Sequence, residues 1–390
     1  MLNSQKICII GSGLTALTIA YLLSKFKLQI DIVEQVSNKK KINPIKLALS
    51  QNSLDQLSSF GLKNIKKKSN IVNKIHLHDS YSSINLKNDL EFSASKEEAL
   101  AYIIDSNSLF SDIIKKIKVL KNINILRKEI LSIKENNFFN EVTFKNLTKE
   151  NYNLIIFAST NNISLLSTFK LREIIDKSYS ESAYVFNLLH KKIENKSARQ
   201  FFLKDGPLAF LPVAKSETSV IWSIKKNSVN EKIVNNKKDL LKFFNVHFKE
   251  LFKEISSISK IEKYNLNYSF NRLIDSKRIL LFGDIANKIH PIAGQGWNMS
   301  LRNIFSLIKV IKHSENLGFE IGNNIFIKKY LDETNSNNFI FSSLIDGVRK
   351  IFDVKNTTYA NFRKNILVNL NRNTFIKKNL IDVANNGLFI

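Results

Sequence analysis

Two apolar runs that each end at a glycine are the clearest pattern in the chain. Residues Lys6–Ile10 and Arg278–Phe282 are almost continuously apolar, which is typical of strands buried on both faces of a parallel sheet. After the first run, apolar residues at helical spacing predict a helix over Leu14–Lys25. The segment Gln29–Glu34 then has a strand pattern. The chain is therefore predicted to begin with a β-α-β unit.

The remaining pattern predicts alternating α and β structure and then a helical end. Helices are predicted over Leu47–Phe60, which ends at Gly61 as a C-cap, and over Asp105–Leu120, with Asp105 or Ser106 as its N-cap. The last quarter is predicted to be mostly helical. Strands are predicted over Ile71–His78, Glu129–Lys134, Glu141–Lys145, Asn153–Ala158, Ala183–Leu189, Ala198–Leu203, Leu208–Pro212 and Ser219–Ile224.

The turn after the first strand fits the dinucleotide-binding pattern G-x-G-x-x-G/A. Its residues are Gly11, Ser12, Gly13, Leu14, Thr15 and Ala16. Gly11 permits a tight turn, Gly13 lets a pyrophosphate approach the backbone, and Ala16 lets the helix pack on the strand. The helix start offers free N–H groups to the phosphates. Glu34, at the end of the second strand, is placed to bind ribose hydroxyls, which favours FAD or NAD over NADP.

A second glycine-rich segment follows the strand Arg278–Phe282. It includes Gly283-Asp284 and then His290-Pro291-Ile292-Ala293-Gly294-Gln295-Gly296-Trp297-Asn298, and it leads into a predicted helix over Met299–Lys312. Asp284 is placed to bind a sugar-like hydroxyl chain. Gly294 and Gly296 allow backbone to lie against a planar ring, and the helix start can stabilise negative charge there.

These segments resemble the flavin-dependent aromatic hydroxylases of the p-hydroxybenzoate hydroxylase fold, and within them the ubiquinone-biosynthesis hydroxylases. The resemblance runs from about residue 5 to about residue 387 and is most specific over His290–Asn298. It also covers Asp205–Pro212, Val220–Trp222, Ala48–Ser50 and Phe60–Leu62. The resemblance implies that FAD and O₂ are used to add a hydroxyl group to a phenolic ring.

By that resemblance, the FAD-binding residues are Gly11, Gly13, Leu14, Thr15, Ala16, Glu34, Asp284, Pro291, Gly294, Gln295, Gly296 and Asn298. The implied substrate is a polyprenylated phenol, and no catalytic residue is assigned. Candidate substrate contacts are Phe210, Pro212, His290 and Trp297. For Phe210 and Trp297 plain core packing is the alternative, and His290 either polarises substrate or caps the turn.

The predicted fold class is α/β, with a Rossmann-like FAD-binding domain interrupted by a mixed β-sheet substrate domain and followed by a helical C-terminus. The FAD-binding domain is assigned residues 1–75, 101–177 and 273–320, the last part containing the flavin loop and its helix. The substrate domain takes residues 76–100 and 178–272, and the helical region takes residues 321–390.

Several positions depart from the pattern of the family. Ala158-Ser159-Thr160 stands where the family has Ala-Asp-Gly. The electrons that reduce the flavin therefore come either from NAD(P)H or from another donor. Lys46 is the nearest cation where the family has an arginine beside Asn43-Pro44-Ile45. Ser300 replaces a glycine and Asn303 an aspartate. These departures favour, as an alternative, a flavin-binding accessory protein of the quinone pathway. A related monooxygenase with a soluble aromatic substrate is a further alternative.

Composition adds constraints on partners and location. The chain has 390 residues, one cysteine (Cys8) and a net charge of +25 that is spread along its length. Coding bias explains that charge, and attraction to an anionic membrane is the alternative. No nucleic-acid motif is present, so nucleic acid is not expected as a partner. We expect a cytoplasmic protein, with peripheral contact at the inner face of a membrane and a ubiquinone-biosynthesis complex as further expectations.

His76 and His78 share one face of a predicted strand but have no third metal ligand nearby. An exposed strand face is therefore predicted there, and no metal site.

Overall fold

The computed structural model describes residues 5–34, 45–81, 83–84, 86–87, 89–94, 98–160, 165–166, 169, 171–273, 277–354 and 357–387. The strands, in chain order, are β1 Gln5–Ile10, β2 Leu28–Val33, β3 Lys46–Leu49, β4 Asn70–Val72, β5 Lys74–Ser80, β6 Leu90–Ser93, β7 Ala101–Asp105, β8 Ile123–Leu126, β9 Ile130–Glu135, β10 Asn140–Phe144, β11 Lys149–Tyr152, β12 Leu154–Phe157, β13 Leu171–His190, β14 Ser197–Leu203, β15 Gly206–Ala214, β16 Glu217–Lys225, β17 Ile255–Ile258, β18 Glu262–Leu273, β19 Ile279–Leu281 and β20 Asn287–Lys288.

The helices are α1 Leu14–Leu23, α2 Gln51–Ser59, α3 Ser106–Ile117, α4 Val229–Asn235, α5 Lys237–Phe252, α6 Gln295–Asn316, α7 Asn324–Asp353, α8 Thr357–Arg372 and α9 Thr374–Asn386. Short 3-10 turns lie at Lys63–Lys68, Gly283–Ile285 and Ile292–Gly294.

A parallel sheet forms the centre of the nucleotide-binding half. Its strand order is β19-β12-β1-β2-β8, and each neighbouring pair is parallel. The apolar runs at β1 and β12 are fully buried, as expected of strands that helices cover on both faces. Since α1 follows β1 and returns the chain to β2, the predicted β-α-β start is confirmed. The α/β fold class is confirmed with it.

One predicted helix is divided between two elements. The sequence predicted a helix over Leu47–Phe60, but β3 occupies Lys46–Leu49 and pairs with β7. The helix α2 begins only after Ser50, whose side-chain oxygen accepts a hydrogen bond from the N–H of Ser53. An N-cap residue has extended backbone, so the helix cannot continue back through Ser50. The prediction of Gly61 at the end of this helix is confirmed, with a φ of +95°.

A long mixed sheet forms the second half, with strand order β20-β18-β13-β16-β15-β14-β5-β6. The strand that the sequence placed at Ala183–Leu189 is part of β13, which has 20 residues. The predicted strand Ile71–His78 is divided into β4 and β5, and these belong to different sheets. One face of the mixed sheet packs against α5 through an aromatic core that includes Phe201, Phe210 and Phe248.

The expectation of an exposed strand face at His76 and His78 is wrong. The two side chains do share one face of β5, but they are 6% and 1% exposed. His78 stacks on Phe201 with ring centroids 4.0 Å apart, and His76 lies 3.4 Å from a Glu91 oxygen. Among the residues that the structure describes, no group of three or more His, Cys, Asp or Glu side chains could hold a metal ion.

The C-terminal helices lie against the other face of the mixed sheet. The buried Arg363 of α8 binds Asp79 of β5 through two nitrogens, at 2.6 and 2.9 Å. Phe352 of α7 stacks on Phe202 of β14 with ring centroids 3.5 Å apart. None of the described helices is long and apolar enough to cross a membrane. The predicted helical C-terminus is confirmed, and the proposed residue boundaries of the domains remain predictions.

Candidate active site

The first glycine turn joins β1 to α1. Gly11 has a φ of +129° and donates its N–H to the carbonyl of Val33 at 3.0 Å. A Cβ on Gly11 would lie 2.9 Å from Ser159 Cβ. Two constraints therefore require glycine here: a left-handed backbone, and the close approach of the segment that follows β12. Ser159, one of the departures from the family pattern, is thus packed directly against the turn.

The start of α1 faces open space. Gly13 is its N-cap residue and provides no side-chain hydrogen bond to the first turn. A Cβ on Gly13 would meet no atom of the described residues within 4 Å. Ala16 is buried in the core, and Leu14 packs against that core. The free N–H groups of α1 therefore adjoin a cradle that could receive a phosphate group.

Glu34 directly follows β2 and lies beside this turn. Ser12 donates its hydroxyl to Glu34 at 3.3 Å, and Arg127 lies 3.5 Å from the second carboxylate oxygen. Arg127 is 82% exposed, so this ion pair is screened by solvent and weak. The carboxylate remains accessible to a polar ligand at the edge of the parallel sheet.

The second glycine segment meets the first at Gly283. Its φ is +71°, and a Cβ there would lie 3.3 Å from the hydroxyl oxygen of Thr15. Thr15 belongs to the first turn of α1. Two segments that are about 270 residues apart in the chain are therefore in direct contact.

Asp284, in the turn after β19, is accessible to solvent. Its side chain is exposed to solvent. The surrounding protein nevertheless raises the pKa of its carboxyl above the ordinary value, and Lys288 opposes that rise. A carboxyl group that is accessible and has a shifted pKa is a candidate for ligand binding.

The segment from Pro291 to Asn298 forms a tight turn that ends in α6. The carbonyl of Pro291 accepts a hydrogen bond from the N–H of Gly294 at 3.1 Å. Gly294 has a φ of +62° and is an N-cap residue without a capping side chain. A Cβ on Gly294 would lie 3.1 Å from Ala48 Cβ, and one on Gly296 would lie 3.9 Å from Ile289. A second free helix start is thus presented near β3.

Asn298 attaches this turn to β3. Its side-chain oxygen accepts a hydrogen bond from the N–H of Ser50 at 3.0 Å, and its amide nitrogen donates to the carbonyl of Ala48 at 2.9 Å. The residue is 2% exposed. Asn298 therefore holds the turn in place through both ends of its amide. Gln295 is half-buried, and its side-chain oxygen has no hydrogen-bond partner in the described part of the chain.

His290 caps the turn and does not line a substrate pocket. Its Nδ1 accepts a hydrogen bond from the N–H of Ile292 at 3.3 Å, so Nε2 carries the proton and donates to Glu181 at 3.2 Å. The ring is 1% exposed. Burial lowers the pKa of His290, and Glu181 opposes that effect only in part. The interpretation of His290 as a residue that polarises substrate is therefore wrong.

Glu181 joins the turn to the C-terminal helix α7. It is 2% exposed and also binds the guanidinium of Arg349, which stacks over the Tyr179 ring at 4.3 Å. Burial alone would raise the pKa of the Glu181 carboxyl, but hydrogen bonds from His290 and Arg349 hold it below the ordinary value. Sequence reasoning missed Glu181 and Arg349, because nothing local in either segment marks them as partners of His290.

Two of the proposed substrate contacts lie in the core, and a third packs at its edge. Phe210 is 1% exposed and packs against Phe248 and Phe252 beneath α5, with ring centroids 5.0 Å from each. Pro212 is buried, and by strand alternation it lies on the same face. Trp297 packs partly buried against the core of the nucleotide-binding half. Phe210 and Pro212 point away from the glycine turn, so both predictions are wrong. Trp297 is half-buried beside the turn, and its assignment as a substrate contact stays a prediction.

Other departures from the family pattern have structural partners. Lys46 forms an ion pair with Asp105 at 2.7 Å, and Asp105 also caps α3 as predicted. Ser300 donates its hydroxyl to the carbonyl of Gly296 at 3.2 Å. Asn303 is buried beside two grooves of about 800 and 600 Å³ along α6 and α7. Neither groove is lined by Gly13, Glu34 or Asp284, so these volumes do not mark the proposed cofactor site.

Known proteins resemble this chain in sequence along its whole length. No family model matches it. The chain is 24% identical to the mitochondrial ubiquinone biosynthesis monooxygenase COQ6 of Dictyostelium discoideum over 460 aligned residues, which cover 99% of this chain and 92% of the relative. It is 25% identical to the ubiquinone hydroxylase UbiL of Rhodospirillum rubrum over 175 residues, which cover 45% of this chain and 41% of UbiL.

Solved structures share the fold. The p-nitrophenol 4-monooxygenase PnpA of Pseudomonas putida superposes with a TM-score of 0.78 at 13% identity, covering 99% of each chain. Klebsiella pneumoniae HpxO, solved with FAD and uric acid, superposes with a TM-score of 0.71 at 14% identity, covering 99% of this chain and 98% of HpxO. The resemblance to ubiquinone-biosynthesis hydroxylases and to this fold, predicted from the motifs, is confirmed.

Proposed function

We propose that this protein is an FAD-dependent monooxygenase that hydroxylates the aromatic ring of a polyprenylated phenol in ubiquinone biosynthesis. Similarity to COQ6 over almost the whole chain supports the reaction class and the pathway. The fold shared with monooxygenases, one of them solved with FAD, supports the cofactor. The observation that carries the proposal is the contact between the two glycine segments, where Thr15 lies against Gly283.

The residues around that contact fit a flavin dinucleotide. Gly13 and the free start of α1 would bind the pyrophosphate, and Glu34 the adenosine ribose. Asp284 would bind the ribityl hydroxyls through its accessible carboxylate. The start of α6 at Gly294–Gly296 would lie against the isoalloxazine ring and stabilise negative charge on it.

Bound FAD, once reduced, supplies the oxygen chemistry, and the protein supplies position and environment. The backbone of Pro291–Gly294 would be held in a fixed position beside the isoalloxazine ring. Asn298 attaches this segment to β3, and His290 attaches it to Glu181. Apolar side chains of the mixed sheet would exclude water from the facing side. No nucleophilic side chain is required.

Partners follow from the substrate. A polyprenylated phenol is held in lipid, so we propose peripheral membrane contact through the C-terminal helices, within or beside a ubiquinone-biosynthesis complex. O₂ is the second substrate. NAD(P)H or another donor supplies the electrons. COQ6 of Dictyostelium discoideum is named as mitochondrial. For this chain we propose a cytoplasmic location at the inner face of the membrane.

The first experiment measures FAD content. The purified protein should be yellow with about one FAD per chain. Gly13→Val should lose FAD while its thermal unfolding without cofactor stays unchanged, because a side chain at Gly13 meets open space. Gly347→Val is the matched control, since a Cβ there also meets no described atom, and it should retain FAD. A yellow Gly13→Val protein with full FAD content would contradict the proposed placement.

A flavin-binding accessory role is the second candidate, favoured by Ser159-Thr160 in place of the family's Asp-Gly. If the protein is the hydroxylase, hydroxylated product should form when a prenylated phenol and a reducing system are supplied. A deletion strain should then accumulate an intermediate that lacks one ring hydroxyl. The accessory role predicts FAD binding without turnover under the same conditions.

A further inference from the structure

One face of the mixed sheet turns towards the glycine turn of the candidate site. Side chains alternate along β14, so Ala198, Gln200 and Phe202 share a face. Ala198 packs in one apolar cluster with Ala48, which adjoins Gly294. Phe202 packs in another cluster with Ile292, and both residues line one small cavity. Gln200 lies between these two anchors and therefore faces the turn Pro291–Gly294.

The neighbours of Gln200 on this face are apolar and only partly covered. In the sheet register, Leu77 and Ala209 flank Gln200 directly, and Ile221 lies beyond Ala209. All three are half-buried. A mostly apolar surface with one polar group is the usual lining of a small-molecule pocket.

The amide of Gln200 lacks a partner within the described protein. The residue is 8% exposed, and no hydrogen bond to its side chain occurs among the described residues. Neither polar atom of this amide is among the fully buried side-chain atoms that lack a partner, so both are open to the space between the sheet and the turn. A ligand in that space can form a hydrogen bond with the amide without displacing a protein contact.

We propose that Gln200 is a specificity-determining residue whose side-chain carbonyl accepts a hydrogen bond from the ring hydroxyl of the phenol substrate. The inference rests on the proposed function, since it assumes a phenol between the sheet and the glycine turn. The hydrogen bond orients the ring, while Leu77, Ala209 and Ile221 contact its apolar face. The pocket then discriminates against rings that lack the hydroxyl.

The test compares two ligands that differ at one group. The FAD-loaded, oxidised protein is titrated by calorimetry with 2-prenylphenol and with its methyl ether, so no turnover is needed. Wild type should prefer the phenol by about fivefold, the factor expected for one hydrogen bond. Gln200→Met keeps the side-chain volume and should lower the preference to about twofold or less. Gln200→Glu keeps the acceptor and should retain it.

The controls separate a substrate contact from a structural role. Gln29→Met, at an exposed position of β2, should keep the wild-type preference. Gln200→Met should unfold at the same temperature as wild type or higher, since no protein hydrogen bond is lost; a marked decrease would overturn the proposal in favour of a structural role. An unchanged preference in Gln200→Met would overturn it too. If the wild-type FAD-loaded protein binds neither ligand, the assignment of a phenol substrate fails first.

Discussion

Glycines that look equivalent in the sequence have different physical roles in the fold. Gly11 and Gly294 need a positive φ, and each lies where a Cβ would approach another side chain closely. Gly13 has an ordinary backbone, with a φ of −75°, and open space around it. Fold stability therefore requires glycine at Gly11 and Gly294, whereas at Gly13 the requirement comes from the proposed ligand.

Asp284 is predicted to favour ligand binding over stability of the empty fold. Its pKa is raised because its surroundings disfavour the charged form, so the carboxylate destabilises the folded protein at neutral pH. Asp284→Asn should raise the unfolding temperature of the FAD-free protein and weaken FAD binding. Thermal unfolding and fluorescence titration with FAD measure the two effects. A decrease in both quantities would contradict this role. Asp205→Asn, at a half-buried turn position away from the glycine segments, serves as the control.

Contacts between elements fix the glycine turn from two sides. Asn298 connects the start of α6 to β3. On the other side, His290 reaches Glu181 of β13, which in turn binds Arg349 of α7. Breaking a buried charged pair by removing one partner costs about 3 to 5 kcal/mol. The position of α7 is therefore coupled to the shape of the turn.

This connection gives stability a defined pH dependence. The pKa of His290 is lower in the folded protein than its ordinary value of 6.5, so the unfolded chain takes up the proton first as the pH falls. The free energy of unfolding should decrease as the pH drops below about 6.5. Glu181 adds a loss in the same direction at lower pH, since its pKa lies below 4.5 in the fold.

His290→Gln should reduce this slope between about pH 7.5 and about pH 5.5. Glutamine still donates towards Glu181 but gains no proton in this range. Urea unfolding at the two pH values measures the effect. His247→Gln, at an exposed position of α5, is the matched control and should leave the slope unchanged. Equal slopes in wild type and His290→Gln would show that His290 does not titrate differently on unfolding.

At the scale of the whole molecule, an apolar stripe on α7 is exposed to solvent, and the protein carries a large positive net charge. On α7, Ile340, Leu344, Val348 and Ile351 follow helical spacing and are each more than a third exposed. The net charge is +25. Such a surface fits the proposed contact with an anionic membrane, because apolar insertion and charge attraction act together.

Vesicle binding distinguishes a membrane surface from coding bias. The protein should co-sediment with vesicles of phosphatidylcholine containing about a third anionic lipid, and more weakly at high salt. Replacing Leu344 and Val348 with serine should weaken binding about tenfold, since each removes buried apolar area. Val119→Ser with Leu147→Ser removes exposed apolar groups elsewhere and should have little effect. Equal weakening by both pairs would contradict a role for α7.

Local sequence patterns were sufficient to predict the parallel sheet and the glycine turns. Continuous apolar runs specify β1 and β12 regardless of their neighbours, and the spacing of Gly11, Gly13 and Ala16 limits the turn to few conformations. The helix cap at Asp105 was equally local, because its side chain binds N–H groups two and three residues away. The boundary at Ser50 was missed because β3 forms only by pairing with β7.

The environment of the turn could not be read from the chain. Glu181 and His290 are 109 residues apart, and Glu181 and Arg349 are 168 apart, so no local pattern marks them as partners. The packing partners of the two faces of β14 and β15 could not be predicted from the sequence either. Alternation separates Phe210 from Leu211 and Phe201 from Gln200, but the sequence does not say which side meets α5 and which meets the glycine turn. That choice depends on how the sheet packs, because burial is a property of the assembled layers.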